Sequence, residues 1–427
     1  MAVELRYAVL GVLVMTCLLG NSPLAAAAGK TITAASCSSA NVQSAVDSAV
    51  DGDTVIVPAG SCMWTSAVSV NNKGITLQGA GIGQTIITNG SSESIVNISQ
   101  QVGDPTLSIT GFTFDANLRD TGSDPFIEIL AVGMNAFRLH HFEMINLIER
   151  GISIYFDGNE GSGLIDHCTF GMPVKFGGSK ALSLLGVAPG EHQPFSRPLE
   201  LGSAKFIFIE DCTFNYGGPN DGALDAYSGA RYVFRHNIVN NTNVGHHGAD
   251  SGFMRGIHSF EIYENKFTCT GDCENQRKFY FRSGTGVVFN NTFTGNYSEA
   301  GLTNYRSDES FPPWGICDGS SPWDENRPGQ NGYACLDQIG HVFGPTSGGA
   351  NKLEPLYEWG NTENGGADVD FVVSASHANA DKHIVEGRDF YNDMRRPAYT
   401  SYPYPHPLTG VSPVPSPGPP ENLRVVP

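Results

Sequence analysis

The sequence predicts an all-β fold, a parallel β-helix in which each coil of chain adds one set of short strands to a solenoid. Three observations support this prediction: a repeat of 25 to 30 residues, a composition rich in glycine and poor in charge, and a helix-to-strand pattern near the N-terminus. Glycine supplies 51 of 427 residues, and charged residues are 16% against a typical value of about 25%. With 40% hydrophobic residues the chain can bury a core, which excludes a disordered protein.

One short pattern recurs along the middle of the chain. Apolar residues separated by one position are followed by two polar residues, then Asn or Cys, and after one further position an apolar residue that is usually Phe. The segments are LIDHCTF (164–170), FIEDCTF (208–214), FRHNIV (234–239), IYENKF (262–267) and VFNNTF (288–293), with looser matches at 108–114 and 139–144. The spacings are 30, 26, 44, 25, 28 and 26 between the key positions Phe112, Phe142, Cys168, Cys212, Asn237, Asn265 and Asn291. Apart from the 44, which an insertion near 180–200 explains, this period fits one coil of three short strands and three turns.

The repeat predicts an internal ladder of asparagine side chains. Stacked coils would align Asn237, Asn265 and Asn291, whose amides can satisfy the buried backbone of their own and of neighbouring turns. Cys168 and Cys212 would occupy the same ladder one coil apart. Parallel strands lie about 4.8 Å apart, just inside the range of a disulfide. We favour two buried thiols over a bridge.

Residues 1–28 predict a secretory signal. Arg6 precedes an apolar run over 8–19, and small residues at 25–28 offer cleavage sites. The run is shorter than the roughly 20 residues that span a bilayer, so we expect a secreted protein, extracellular or periplasmic. The eight cysteines that follow are an even number, which favours disulfides in an exported chain. The plausible pairs are Cys37–Cys62, Cys269–Cys273 and Cys317–Cys335.

The N-terminal region carries a resemblance to a known group of folds. Residues 41–50 have the apolar face of a short helix, and GDTVIVPAG (52–60) and GITLQGAGIGQTIIT (74–88) follow. Here the chain resembles the right-handed parallel β-helix proteins of the pectin-lyase-like superfamily, over roughly residues 35–375. The resemblance implies a right-handed solenoid with an N-terminal capping helix. It leaves the activity open, because this superfamily contains lyases, hydrolases, epimerases and binding proteins.

We predict one β-helix domain over 29–408. A long loop insertion covers 303–345, and the dense aromatics of 385–408 indicate a C-terminal wrap that caps the solenoid. Residues 409–427 are a Pro-rich tail that we expect to be disordered.

The chain concentrates basic groups over 221–282, although its net charge is −18. In QRKFYFRSG (276–284), inward Phe residues would place Lys278, Tyr280 and Arg282 outward on one strand. β-Elimination of a uronate needs a base for the C5 proton, a cation for the carboxylate and an acid for the leaving oxygen. Lys278 or Arg255 is the predicted base, and Arg282 or Arg277 the predicted carboxylate ligand.

Two further resemblances bear on this region. FRSGTGVVFNNTFTGN (281–296) is similar to the arginine-bearing coil of the alginate lyase and chondroitinase B family, which implies a catalytic role for Arg282. That family's lysine, one coil earlier, has no clear match in this sequence, and Arg255 is the basic residue nearest to its expected position. GHHG (245–248) resembles part of the polygalacturonase motif, although its companion motifs are absent and a glycine-flanked turn explains it equally well. The two histidines would point to opposite faces of a strand.

The remaining candidates are metal ligands and residues that contact a sugar. Ca²⁺ often neutralises the carboxylate in β-helix lyases, and its oxygen ligands are predicted to be Asp221, Asp225, Asp250 and Glu261. The predicted substrate-binding residues are Arg277, His246, His247, Trp314 and Trp323. The tryptophans would either wall a glycan groove or fold inward within their own loop.

A purely structural interpretation competes with each site residue. Outward charges on stacked coils, such as Asp166, Glu210 and Arg235, can pair on the surface for about 0–1 kcal/mol per pair and imply no function.

The leading functional hypothesis is a secreted carbohydrate-active β-helix protein, a polysaccharide (uronate) lyase acting on an outer face. The alternative is a non-catalytic extracellular glycan-binding or structural protein, and the third is a glycoside hydrolase on the same fold. The expected partner is a polysaccharide or cell-surface glycan. The acidic charge argues against nucleic acid, and no membrane insertion is expected.

Overall fold

The computed structural model describes residues 29–410, except 123, 132, 157–160, 174–179, 187–194, 196, 251, 253, 326–333 and 345–350. The predicted signal at 1–28 and all but the first two residues of the predicted tail therefore lie outside the described residues. Among the described residues, no helix has the length and apolarity needed to cross a membrane.

The described chain is almost entirely strand and turn. Two helices, α1 (Ser39–Ser48) and α2 (Ala380–His383), and short 3₁₀ turns over Tyr305–Ser307 and Pro407–Thr409 are the helical elements of this part. The strands are β1 (Thr31–Thr33), β2 (Thr54–Val57), β3 (Gly60–Trp64), β4 (Val68–Asn71), β5 (Thr76–Gly79), β6 (Thr85–Asn89), β7 (Val96–Gln100), β8 (Leu107–Thr110), β9 (Thr113–Asp115), β10 (Ile127–Ala131), β11 (Phe137–His140), β12 (Glu143–Ile145), β13 (Ile152–Phe156), β14 (Gly163–Asp166), β15 (Thr169–Met172), β16 (Leu182–Leu185), β17 (Ile207–Glu210), β18 (Thr213–Tyr227), β19 (Arg231–Arg235), β20 (Ile238–His246), β21 (Ser259–Tyr263), β22 (Lys266–Thr268), β23 (Phe279–Phe281), β24 (Thr285–Phe289), β25 (Thr292–Thr294), β26 (Ala300–Leu302), β27 (His341–Phe343), β28 (Asn351–Leu353), β29 (Leu356–Trp359), β30 (Thr362–Glu363), β31 (Ala367–Asp368), β32 (Phe371–Val373) and β33 (Phe390–Tyr391).

Most of these strands form three stacks of parallel strands, one from each side of the coil. β27 and β28 form a separate antiparallel pair, and β31 pairs antiparallel with β30. The first stack runs β1-β2-β5-β8-β11-β14-β17-β19-β21-β24-β29-β33. The second runs β3-β6-β9-β12-β15-β18-β20-β22-β25-β30. The third runs β4-β7-β10-β13-β16-β18-β20-β23-β26-β32, with the long strands β18 and β20 bending from the second stack into the third. The predicted right-handed parallel β-helix is confirmed.

The N-terminal cap is also as predicted. Helix α1 buries Val42, Ala45 and Val46 against the first coil and so covers its open end. Without such a cover the unpaired strands of that coil would be exposed to other chains.

The predicted internal ladder is present and extends one coil further, to Asn361. The side-chain oxygen of Asn265 accepts from the backbone N–H of Asn237 at 2.9 Å, and its amide group donates to the carbonyl of Phe234 at 2.8 Å. Asn291 and Asn361 repeat this arrangement on the following coils. Each amide thus joins two coils and satisfies backbone groups that water cannot reach.

The cysteines pair as the spacing suggested. Disulfides join Cys37–Cys62, Cys269–Cys273 and Cys317–Cys335. Cys168 and Cys212 continue the ladder as buried free thiols, as favoured from the sequence. Burial raises the pKa of Cys168 well above its usual value, so this thiol is unreactive.

The C-terminal segment, residues 385–410, does more than cap the last coil. It lies along the outer face of the first stack, where Tyr399, Tyr402 and Leu408 pack against Phe208 and its neighbours. The prediction that Asp166, Glu210 and Arg235 lie on the surface is therefore wrong, because all three are fully buried beneath this segment.

Candidate functional site

A groove of about 480 Å³ lies on the outer face of the third stack. Cationic and polar side chains from several coils line it. The lining residues are Arg150, Lys180, Gly222, Leu224, Asp225, Asn243, Gly245, His246, His247, Arg277, Tyr280, Arg282 and Tyr305.

Strand register explains why these residues meet. Asp225, Gly245, Tyr280 and Gly301 occupy one position on four successive coils. Because side chains alternate along a strand, this row faces outward when Phe279 and Phe281 face the core. The glycines on the neighbouring coils, Gly245 and Gly301, place no side chain beside Tyr280 in this row. The predicted inward Phe279 and Phe281 with outward Tyr280 and Arg282 are confirmed.

Contacts with aromatic rings and carboxylates hold the two arginines of this region in place. The Arg277 guanidinium carbon lies 4.0 Å from the Tyr280 ring centroid, and its Nε donates to Glu299 at 3.1 Å. Arg282 lies 4.6 Å from the Tyr305 ring centroid, and its Nε donates to the His246 carbonyl at 2.9 Å. Both cations are therefore fixed before any ligand arrives, which lowers the entropy cost of binding one.

His247 links two carboxylates at the base of the groove. Its Nε2 lies 3.3 Å from Asp225 Oδ1, and its Nδ1 lies 3.5 Å from Asp250 Oδ1. Burial works to lower the pKa of His247, but Asp225 and Asp250 outweigh burial and raise it. Burial likewise works to raise the pKa of Asp225, yet His247, Lys180 and Arg282 bring it down to about 2. Both carboxylates are thus charged at neutral pH, and they favour the protonated form of the imidazole.

The adjacent His246 faces the core, not the groove. Its ring is buried, stacks on Phe281 at 4.3 Å and shares a hydrogen bond with the Tyr232 hydroxyl. Burial lowers its pKa to about 3, so it is neutral. The opposite orientations of the two histidines were predicted and are confirmed. The prediction that His246 binds substrate is wrong for its ring, because the alternation of side chains along strand β20 directs the ring into the core.

The two predicted bases lie outside the groove. Lys278 precedes strand β23, and its buried Nζ contacts Glu363 at 2.8 Å and the Ser298 carbonyl at 2.7 Å. Arg255 is buried against Asp337 through two hydrogen bonds and stacks on Phe195 at 3.6 Å. Both cations are engaged in the packing between coils and loops, so neither lines the groove.

The predicted tryptophans belong to the same loop packing. Trp314 is 3% exposed, donates to the Met254 carbonyl at 3.0 Å and forms a small apolar cluster with Ala249, Ala334 and Leu336. Trp323 packs edge-on against Trp314, with ring centroids 5.2 Å apart. The inward alternative is confirmed for Trp314, because a buried indole cannot stack on a sugar.

The predicted Ca²⁺ ligands do not converge. Glu261 lies in the first stack, where its carboxylate accepts from Tyr399 and from the Gly202 N–H at 2.7 Å. Asp225 and Asp250 are bridged by His247, and Arg282 lies 3.3 Å from Asp250. Among the described residues, none of these three acids belongs to a group able to share a metal. The side chain of Asp221 lies outside the described ones. Glu261, Asp225 and Asp250 therefore do not form one Ca²⁺ site.

Sequence reasoning missed four groove residues with polar or charged side chains: Arg150, Lys180, Asn243 and Tyr305. Ile152 pairs with Leu182 in neighbouring coils, so Arg150 and Lys180 occupy equivalent places two residues earlier. The register of Ile152 with Leu182 could have revealed this equivalence. It could not be recognised in the sequence, because the repeated pattern marks strands of the first and second stacks, whereas these residues precede strands of the third.

No family model and no curated protein matches the chain. Among solved structures, it is similar to ORF18 of Geobacillus virus E2 at 14% identity, covering 71% of this chain and 62% of that one with a TM-score of 0.31. It is similar to a PL6 family polysaccharide lyase of Pseudopedobacter saltans at 13% identity, covering 86% and 94% with a TM-score of 0.35. The family 28 exopolygalacturonase of Yersinia enterocolitica is 12% identical, covering 88% and 77% with a TM-score of 0.33. These likenesses concern the coiled fold alone.

Proposed function

We propose that the protein binds an acidic polysaccharide in the third-stack groove and cleaves it by β-elimination. The observation that carries this proposal is the convergence of Arg150, Lys180, Arg277 and Arg282 on one groove, in a chain of net charge −18. A local positive surface can attract an anionic ligand even though the protein as a whole is negatively charged. A uronate carboxylate meets guanidinium groups through paired, charge-assisted hydrogen bonds.

The groove also supplies groups for proton transfer. In β-elimination a base removes the C5 proton, the electron pair forms the C4–C5 double bond, and the C4–O bond breaks with a proton delivered to the leaving oxygen. We assign the base to Tyr280 in its phenolate form, which takes up the C5 proton to become the phenol and whose negative charge the Arg277 guanidinium above its ring would stabilise. We assign the proton donor to His247, whose protonated form Asp225 and Asp250 favour. The arginines then stabilise the enolate-like charge that develops on the carboxylate.

A non-catalytic glycan-binding protein is the second candidate. The ion pairs of His247 favour it, because a proton held between two carboxylates is costly to transfer. A glycosidase is less well supported, since it needs two carboxyl groups acting separately on one bond. Asp225 and Asp250 share one histidine instead.

The experiment is incubation of the purified protein with a panel of uronate polysaccharides, with and without chelator. Near-ultraviolet absorbance reports the unsaturated product, a reducing-end assay reports any cleavage, and affinity electrophoresis reports binding. A rise in absorbance that chelator leaves unchanged is expected, since protein cations occupy the carboxylate-binding role. New reducing ends without absorbance would replace the lyase by a hydrolase. Binding without cleavage would support the second candidate, and no binding at all would overturn both.

Tyr280→Phe separates catalysis from binding. We expect turnover to fall by about 100-fold or more, the usual contribution of a proton-transfer group, with affinity for the glycan retained. Tyr391→Phe, in the first stack, is the matched control and should leave turnover unchanged. Full activity of the Tyr280→Phe protein would remove Tyr280 from the mechanism.

We also propose that the protein is exported. The three disulfides support this, because such bonds persist mainly in oxidising compartments. N-terminal sequencing of the protein from its native host should find a start near residue 29. An intact Met1 on protein recovered from the cell interior would contradict export.

A further inference from the structure

Three histidines gather at the turn that follows the first stack, on a different stack from the groove. His140 ends strand β11, His141 follows it, and His167 occupies the equivalent turn of the next coil. His141 and His167 are exposed, and their rings stack with centroids 4.8 Å apart. One ligand atom from each of His141, Asp166 and His167 lies within 4.8 Å of the others.

The spacing of two ring nitrogens fits a shared metal ion. His140 Nδ1 and His141 Nδ1 face each other at 2.9 Å, with the two rings at 89°. Two nitrogens about 2.0 Å from one metal and about 90° apart at that metal would be separated by about this distance. A 90° angle between nitrogen ligands is that of square-planar and octahedral centres, not of tetrahedral ones.

The opposite nitrogens of two rings are already held by oxygen atoms. His140 Nε2 lies 3.0 Å from Ser108 Oγ, and His167 Nδ1 lies 2.9 Å from Asp166 Oδ2. Arg138 fixes Asp166 in turn through two hydrogen bonds of 2.8 Å. Metal-binding histidines characteristically make such a contact on the nitrogen that does not bind the metal. The contacts leave Nδ1 of His140 and Nε2 of His167 as the ligand atoms.

We propose that His140, His141 and His167 form a binding site for a divalent transition metal that prefers nitrogen ligands, Cu²⁺ above Ni²⁺. His140 and His141 bind it through Nδ1. His140 lies outside the cluster of His141, Asp166 and His167, so the site closes when the exposed His167 ring turns about its Nδ1–Asp166 contact and brings Nε2 to the metal. Asp166 serves as the carboxylate behind His167 and not as a ligand, because Arg138 already engages both of its oxygens. The site joins two successive coils and is independent of the glycan groove.

The test is calorimetric titration of tag-free protein with Cu²⁺ and with Ni²⁺, together with electron paramagnetic resonance of the copper-loaded protein. One Cu²⁺ should bind per chain with a Kd on the order of micromolar, with nitrogen hyperfine structure in the spectrum and weaker binding of Ni²⁺. His141→Asn and His167→Asn should each weaken Cu²⁺ binding by about tenfold or more. Asparagine suits these positions because both have left-handed backbone angles, with φ near 50° and 54°.

The matched control is His236→Asn, which removes a histidine that contacts Glu264 at the equivalent turn two coils beyond His167 and also has a left-handed backbone angle, with φ near 55°. It should leave the Cu²⁺ affinity unchanged. Equal melting temperatures of the metal-free proteins would show that the variants fold. The site is refuted if the native chain binds Cu²⁺ no tighter than about 100 μM, or if the double variant His141→Asn with His167→Asn binds it as the native chain does.

Discussion

At the scale of single residues, burial decides what the charged groups of the groove can do. Asp225 and Asp250 are largely buried, yet their charges persist because His247 and Arg282 lie within 3.5 Å of them. Removing one partner of such a cluster leaves the other without compensation. These neighbours therefore raise the pKa of His247 against the effect of burial.

Asp225→Asn should lower the pKa of His247. In the native chain the Asp225 charge raises this pKa against the effect of burial, and the variant removes that charge while keeping the shape. Histidine signals followed by NMR across pH 4 to 9 in ring-labelled protein measure the change. Asp211→Asn, in the first stack, is the control and should leave His247 unaffected. An unchanged His247 pKa in the Asp225→Asn protein would show that Asp225 does not set it.

Asn265→Ala should destabilise the solenoid by about 2–4 kcal/mol, because it removes hydrogen bonds to two neighbouring coils and leaves buried backbone groups unpaired. The free energy of unfolding in urea measures the change. Asn240→Ala removes an asparagine on the outer surface that contacts Asn215, and should cost less than about 0.5 kcal/mol. Similar losses in both variants would contradict the special role of the ladder.

At the scale of elements, the C-terminal segment converts an outer face into a second core. Arg235 donates to the carbonyls of Tyr402 and Pro403 at 2.7 and 2.9 Å and pairs with the buried Glu210. Glu261 is enclosed in the same way between Tyr399 and Gly202. The segment is thus fixed to the solenoid by buried polar contacts that depend on the protonation of carboxyl groups.

Glu261→Gln should stabilise the protein at pH 8 and flatten the pH dependence of its stability. Burial raises the Glu261 pKa from 4.5 to about 7 in the folded chain, so folding favours the protonated form. The stability that Glu261 contributes is full below pH 4.5 and is lost as pH rises to about 7, at about 1.4 kcal/mol per pKa unit. Urea unfolding of both proteins at pH 4.5, 6 and 8 measures the difference. A constant difference between the two proteins at all three pH values would contradict the raised pKa.

The loop insertion is a second element that the structure closes inward. Arg306 pairs with Asp324 through two hydrogen bonds, and the Cys317–Cys335 disulfide lies beside the buried Gln338 and His383. Tyr305, at the start of this insertion, is the part that reaches the groove. The described part of the insertion, residues 303–325 and 334–344, therefore packs mainly against itself and the solenoid and reaches the groove through Tyr305.

At the scale of the whole molecule, an acidic solenoid presents a groove whose lining contains more cationic than acidic side chains. The chain carries 43 acidic and 25 basic side chains, and four of the basic ones line the groove. Because the surrounding field is negative, binding of a polyanion depends on close contact with those four cations. Salt screens such contacts over a Debye length of about 8 Å at physiological ionic strength.

Affinity for an acidic glycan should fall by about tenfold between 0.05 and 0.5 M NaCl. Arg150→Gln and Lys180→Gln should each weaken binding at low salt and reduce this dependence, since each removes one cation from the groove. Lys205→Gln, which removes a cation paired with Glu200 elsewhere on the surface, is the control and should change neither quantity. Calorimetry across the salt series measures the affinities. A salt-independent affinity would place the glycan away from the groove.

The sequence predicted the interior of this protein well because the interior is periodic. Asn237, Asn265 and Asn291 align since a buried amide needs a partner at the same height on the next coil, and that requirement repeats with every turn of chain. It predicted part of the groove for a similar reason: the alternation around Phe279 and Phe281 places Tyr280 and Arg282 outward. His247 and Asp225 were found because basic and acidic residues are concentrated in this region.

The sequence by itself determined the solenoid, its helical cap, the cysteine pairing and the inward-facing rows, because each follows from local pattern and the satisfaction of buried groups. Only the tertiary structure decided which outward charges meet. Lys278 and Arg255 pack against neighbouring coils and loops and do not reach the groove. Arg150 and Lys180 line it, although the third-stack strands of their coils lack the repeated pattern. The C-terminal segment buried Glu261 and Arg235, which a repeat-based prediction leaves on the surface. Outward side chains need not be satisfied by an equivalent side chain on the next coil. Their partners are therefore determined by loops and by a segment distant in sequence.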